Sequence, residues 1–310
     1  MSEILVADIG GSKSRFALVD AGGRPARMAL IENDTVPNLE AAVAGYLEQT
    51  GARPRRAVFA VAGPIGGDEI ALTNRAWRFK RAELTRRFEF ESLGIVNDFE
   101  AIAWSLPRLS AEETCVLGSS AVPQQGMKVV LGPGTGLGVA AIFPAQGRWH
   151  VIPSEGGHAS FGPQLADELE PFARMREQLG LLSAEMVISG PGLLRLARAL
   201  DRLCPHETPE AVIAGALAGD SRAIAVTTLF IRLLGRFAGG LALTFKAMGG
   251  VYIAGGVGHG LAPLLKRSEF RAAFEAHPPH TALLKRIPTL LITVEEPGLI
   301  GCAALAQMTG

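Results

Sequence analysis

The chain has 310 residues, 48% of them hydrophobic, and its 30 basic and 30 acidic side chains cancel to a formal charge of zero. That length is about two domains at ~150 residues each, enough to bury a sizeable core. The charge balance speaks against nucleic acid or an anionic membrane as a partner, since both call for basic excess.

Residues 4–7 form an apolar run without polar alternation, the pattern of a strand buried on both faces. The run ends on Asp8, Ile9 and the pair Gly10-Gly11, then Ser12 and Lys13, and a second apolar run follows over residues 16–19. Two such runs joined by glycine and small polar residues predict a β-hairpin. Residues 27–31 read as a third strand. A helix from residue 39 to about Gly51 takes Asn38 as its N-cap. Residues 57–62 form a buried strand stopped at Gly63-Pro64, and residues 69–73 a short one. A basic helix covers residues 81–90, a strand residues 94–96, and a helix residues 101–106. Beyond residue 111, strands are expected at 115–117, 128–131, 139–143, 149–152, 251–254 and 287–294. Helices are expected at 164–179, 191–200, 209–217, 223–248 and 299–307, with a short segment at 184–188. The longest uncharged run, 129–147, is broken by four glycines and a proline before residue 139 and reads as strand–turn–strand rather than a membrane span. The chain opens almost directly on a strand, so no signal peptide is expected. Three scattered cysteines without zinc spacing fit a reducing cytoplasm. A weak internal echo, an apolar strand, then closely spaced glycines, then an apolar strand, occurs near residues 7–17 and again near 130–141.

Several constellations in this pattern can carry chemistry. Two glycines admit a bulky anion close to the backbone, and consecutive amides in such a turn form an anion-binding nest. With Ser12 and Lys13 as added donors, the first hairpin reads as a phosphate holder with Asp8 facing a hydrated magnesium ion. An ordinary glycine turn with a capping aspartate is the alternative. The Gly132–Gly138 loop lacks the Walker lysine and the third glycine of the dinucleotide fingerprint, so alone it is a tight turn. Paired with the first hairpin, it offers Gly134, Thr135 and Gly136 to a nucleotide lying between the two. Asp98, at the carboxyl end of a strand, is the candidate base, with Asn97 orienting a hydroxyl; an Asx turn capping the next helix is the other reading. Glu155 and His158 stand three apart across two glycines, facing one small polar ligand or, less simply, a metal. Glu185 precedes a proline-started helix and otherwise reads as a solvated carboxylate, and His259 as an N-cap or surface group.

Together these segments resemble the bacterial glucokinases of the hexokinase–actin superfamily, in the group that lacks the zinc-binding cysteine motif of the ROK kinases. Residues 8–12 resemble the first phosphate motif, 131–140 the second, and V-Y-I-A-G-G-V-G at 251–258 the adenosine motif. Residues 94–106 and 298–306 resemble the two connecting helices, and S-E-G-G-H and S-A-E-M-V-I-S-G-P-G complete the match. The resemblance implies an α/β, two-lobed actin-like ATPase (ribonuclease H-like) fold with an interlobe cleft. The small domain would span 1–110, joined by the helix 298–310, and the large one 111–297. It implies that ATP and Mg2+ are the cofactors, held by Ala7, Asp8, Ile9, Gly10, Gly11 and Ser12, by Gly134, Thr135 and Gly136, and by Gly255 and Gly256. Glucose would be held by Asn97, Asp98, Glu155, His158 and Glu185, with Asp98 as base for the 6-hydroxyl. The expected protein is a cytoplasmic homodimer that makes glucose 6-phosphate. The family often carries Thr-Asn where Ser12-Lys13 stand here; serine keeps the hydroxyl. The competing expectations are a kinase for another hexose or an N-acetylhexosamine, a sugar-sensing regulator, and an actin-like filament protein.

Overall fold

The computed structural model describes residues 3–63, 65–73, 75–118, 121–266 and 269–308. Pro64, read from sequence as part of a strand stop, lies outside the described residues, as do Thr309 and Gly310 of the expected final segment. The chain divides into two compact units, Met1–Leu109 with Val294–Gly310, and Ser110–Thr293.

The first unit contains strands β1 (Ile4–Ile9), β2 (Lys13–Val19), β3 (Pro25–Glu32), β4 (Arg56–Val61), the short pair β5 (Glu69–Ala71) and β6 (Arg78–Lys80), and β7 (Ser92–Asn97). Five of them form one sheet in the order β3-β2-β1-β4-β7. The β1–β2 and β2–β3 pairings are antiparallel, and β1–β4 and β4–β7 parallel. The unalternated run of β1 is buried on both sides. Leu5, Ala7 and Ile9 pack with Phe16, Leu39, Tyr46 and Phe59, while Ile4 and Val6 pack with Val58, Val96, Leu299 and Ala303. Side chains alternate along a strand, so Asp8 falls on the second face. There the helices Asp98–Ser105 and Pro297–Met308 cross closely. A Cβ on Gly301 would sit 1.6 Å from the Ala101 carbonyl oxygen, so only glycine permits that crossing. The expected 101–106 helix starts three residues earlier, at Asp98, because the Asn97 side chain accepts the Phe99 amide and caps it.

The second unit adds β8 (Thr114–Val116), β9 (Lys128–Pro133), β10 (Leu137–Ala145), β11 (Arg148–Ser154), β12 (Gly250–Ile253) and β13 (Thr289–Ile292). Their sheet runs β11-β10-β9-β12-β13-β8. Without β8 it repeats the first sheet: a three-stranded antiparallel meander, then two parallel strands. The sequence echo is therefore a repeat of topology. The 25-residue helix Ser221–Phe245 is the one helix among the described residues long and apolar enough to cross a bilayer, and 72% of its apolar window is buried within the fold. It is a core helix. It ends at Phe245 rather than the expected 248 because Lys246 adopts a left-handed φ of 45°. The expected 164–179 helix begins at Ala166, since the Glu168 carboxylate accepts the amides of Gln164 at 2.8 Å and of the N-cap Leu165 at 3.4 Å, which keeps both outside the helix. Four short helices, Gly256–Gly260, Ala262–Leu265, Phe270–Glu275 and Thr281–Lys285, occupy a stretch that carried no sequence expectation.

Candidate active site

In the first unit, three parallel strands end side by side, and their carboxyl ends carry the polar groups. Asp8 sits at the end of β1 and Asn97 at the end of β7, with Asp98 immediately after it at the first position of a helix. Carboxyl ends of parallel strands are the usual ligand edge of an α/β sheet. Asn97 takes the capping role, one of the two readings that the sequence left open. Its Oδ1 caps the helix through Phe99, and its Nδ2 donates to the Gly63 carbonyl at 3.3 Å. Asp98 Oδ1 accepts the same Phe99 amide at 3.0 Å, which fixes the carboxylate against the helix N-terminus.

Asp8 is strongly perturbed. Although the residue keeps some exposure, its carboxyl group is enclosed, and its pKa is pushed up to about 7. Burial contributes most; the charges of Asp98 and Glu296 add to it, and only Arg15 opposes. Arg15 is itself ion-paired with Glu296. This corner thus holds more negative charge than its cation offsets. Gly298 faces the same carboxylate, and a Cβ there would approach Asp8 Oδ2 to 3.0 Å. Such an acidic, part-enclosed corner fits a hydrated divalent cation, because magnesium keeps most of its waters and takes one or two carboxylates with phosphate oxygens. Ala7 and Ile9 are fully buried in the core, so any contact they make with a ligand is through the backbone.

The turn after β1 is held from behind. The Gly10 amide donates to the Lys13 carbonyl at 3.0 Å. The carbonyls of Gly10 and Gly11 accept from Asn33 Nδ2 at 2.8 and 3.2 Å, and that of Ser12 from the Asn33 amide at 2.8 Å. Neither the Gly11 nor the Ser12 amide has a partner among the described residues. Lys13 pairs with Glu32 across β2 and β3 at 3.1 Å. Nothing in the local sequence marked Asn33 or Arg75, which reaches the same turn, because both act on backbone far from them along the chain.

In the second unit, the Gly134–Gly136 turn joins β9 to β10, and other predicted residues gather around it. Gly134 donates to Gly136 at 2.9 Å and accepts from the Gly190 amide at 2.7 Å. Thr135 is exposed at the tip. Gly255, at φ 83°, lies under the end of β9, where a Cβ would meet the Pro133 carbonyl oxygen at 2.6 Å. Gly256 follows as the first residue of a short helix. Glu185 is not a freely solvated carboxylate. Its Oε2 accepts the Leu137 amide at 2.9 Å, and Gly136 leaves room for it, since a Cβ there would come within 2.6 Å of that oxygen. The serines of its motif are helix caps: Ser183 for Ala184–Val187 and Ser189 for Gly190–Leu200. Glu155 and His158 follow β11 on a tight turn in which Gly157 is obligatory, a Cβ there falling 1.9 Å from the Leu137 carbonyl oxygen. The His158 ring lies 3.8 Å from Glu155 and 3.9 Å from Glu185. The three side chains converge without hydrogen-bonding one another, which leaves donors and acceptors for a small polar ligand. No group of three or more His, Cys, Asp or Glu with metal-holding geometry occurs among the described residues. His259 contacts the Ile292 carbonyl at 2.6 Å within the second unit.

A family model described as Glucokinase matches residues 5–309. The chain is 40% identical over 319 aligned residues to a glucokinase of Rhizobium johnstonii, covering 98% of this chain and 92% of that protein. It is 39% identical to a glucokinase of Tolumonas auensis, covering 99% and 98%. The solved structure of a glucokinase from an Antarctic psychrotroph matches with a TM-score of 0.90 at 31% identity, covering 99% of each chain. The fold is the α/β actin-like ATPase fold.

Proposed function

The chain belongs to the glucokinase family, and from that premise we propose that it transfers the γ-phosphoryl group of ATP to the 6-hydroxyl of D-glucose, the entry step of glycolysis. The observation that carries the reading is Asp98, an aspartate at the carboxyl end of a parallel strand, held by its own helix N-terminus beside a second carboxylate.

Phosphoryl transfer asks the protein for position and charge neutralisation rather than for covalent chemistry. Asp98 takes the proton of the 6-hydroxyl as that oxygen bonds to the γ-phosphorus; the bond to the β,γ-bridging oxygen breaks, and ADP leaves with its electron pair. Asn97, Glu155, His158 and Glu185 bind the remaining hydroxyls, pairing donors with acceptors so that the sugar is held in one orientation. The Gly11 and Ser12 amides, which have no partner among the described residues, with the Ser12 hydroxyl, and the Gly134–Gly136 turn with Thr135, hold phosphate oxygens; Gly255 and Gly256 admit the nucleoside close to the backbone. Magnesium, when bound at Asp8 through water, supplies charge neutralisation for the phosphates. The reading extends to a cytoplasmic homodimer, in keeping with the family resemblance and with three cysteines that are all free thiols.

The test is ADP release coupled to sugar, with magnesium and ATP, across glucose, mannose, fructose and N-acetylglucosamine. Glucose is expected to give the highest kcat/KM. A higher value for another sugar reassigns the substrate, and sugar-independent ADP release overturns the kinase reading.

A further inference from the structure

We propose that Asn33 is a positioning residue for nucleotide binding: it aims the Gly11 and Ser12 amides outward by holding the carbonyls of their turn from behind. The proposal rests on the reading that this turn holds phosphate. Asn33 opens the 3-10 turn Asn33–Thr35, directly after β3, and is completely buried. Its polar groups are all engaged. Nδ2 donates to the Gly10 and Gly11 carbonyls, Oδ1 accepts from Ser14 Oγ at 2.7 Å, and its amide donates to the Ser12 carbonyl. Its own carbonyl accepts from Arg75 Nη2 at 2.6 Å, and Arg75 Nη1 also reaches the Gly11 carbonyl at 3.4 Å and Asp34 at 2.7 Å.

Peptide geometry gives this arrangement its consequence. In a planar trans peptide, the carbonyl of one residue and the N–H of the next point in opposite directions. Holding the Gly10 and Gly11 carbonyls against Asn33 therefore turns the Gly11 and Ser12 amides away from it, and those two amides have no partner among the described residues. Glycine peptides flip readily, so without the clamp the turn samples orientations in which carbonyl oxygens face the phosphates. The amide's orientation is set by Ser14, whose hydroxyl donates to Oδ1 and leaves the NH2 group for the turn.

Asn33→Asp keeps the shape but replaces the donor by an oxygen that repels both carbonyls. Arg75→Ala removes the outer support from a partly exposed position. Both are compared with Gly11→Val, which blocks the amides directly. The readouts are ATP affinity without sugar, the KM values for ATP and glucose, and the melting temperature. Asn33→Asp is expected to weaken ATP binding about tenfold or more, and Arg75→Ala several-fold, with the glucose KM within about twofold. Loss of melting temperature with unchanged ATP affinity overturns the proposal, as does an equal rise in both KM values. If Asn33→Asp does not fold, Arg75→Ala decides by the same criteria. If Gly11→Val alone weakens ATP binding, the clamp fails and the phosphate turn stands; if none of the three does, the phosphate turn itself fails.

Discussion

Asp8 carries a stability cost that can be measured. Its pKa in the fold is about 7 against an ordinary 3.8, so the folded state binds a proton that the unfolded chain has already released. Stability therefore falls as pH rises from about 4 through 7, and the full cost persists above 7. Asp8→Asn removes the ionisation. In magnesium- and nucleotide-free protein, the variant is expected to melt at a higher temperature than the parent at pH 8, with the gap closing as pH drops toward 5. Thermal melts across that range check the sign, and a variant less stable than the parent at pH 8 contradicts it. On the proposal that Asp8 faces the magnesium ion, the same variant should also lose phosphoryl transfer. At this scale the sequence was informative wherever a polar residue interrupts an apolar run: Asp8 after Ile4–Ala7, Asn97 and Asp98 after residues 94–96. It was silent on Asn33 and Arg75. Most of their partners are backbone carbonyls far away along the chain, and no local residue pattern encodes a hydrogen bond at such a distance. Lys13, read from sequence as an added donor at the hairpin, pairs in the structure with Glu32 across two strands.

Among the elements, the helix Ala166–Leu179 shows how a legible helix can hide a residue's work. Glu168 lies in the first turn of that helix, where the dipole favours an acid. In the structure it is fully buried, with Arg236 of the core helix Ser221–Phe245 at 2.6 Å and Arg232 at 3.4 Å. Arg236 also donates to the Gly162 carbonyl at 2.7 Å and lies over the Phe161 ring. Removing one partner of such a buried pair leaves an uncompensated charge. Glu168→Ala is expected to cost about 3–5 kcal/mol in the second unit. Denaturant unfolding monitors this, and a loss under about 1 kcal/mol would assign the pair to specificity rather than stability. Helix starts were misplaced where a side-chain cap, not the first periodic apolar residue, sets the boundary, as at Asp98 and Ala166. Periodicity locates the buried stripe but not the residue that satisfies the first free amides.

At the scale of the whole molecule, each sheet has the same order, an antiparallel meander followed by two parallel strands. The hairpins were legible because glycine turns between apolar runs are strong local signals. The parallel order was not, since β4 joins β1, and β7 joins β4, only after long crossovers, and β13 reaches β12 through four short helices with no clear periodicity. The repeated topology puts a glycine turn beside the carboxyl ends of parallel strands in each unit. In both it leaves candidate site residues at that edge: Asp8, Asn97 and Asp98 in one, Glu185 and Gly255 beside the Gly134–Gly136 turn in the other.

The central claim is that Asp98 accepts the proton of the sugar hydroxyl. Asp98→Asn keeps an acceptor for the Phe99 amide and the shape of the site while removing the base. Steady-state glucose phosphorylation by this variant, with glucose binding measured separately, is the most direct test. The account predicts a fall in kcat of about 10²-fold or more with glucose affinity within a few-fold of the parent. A variant that binds glucose normally and turns over at near the parental rate would contradict it.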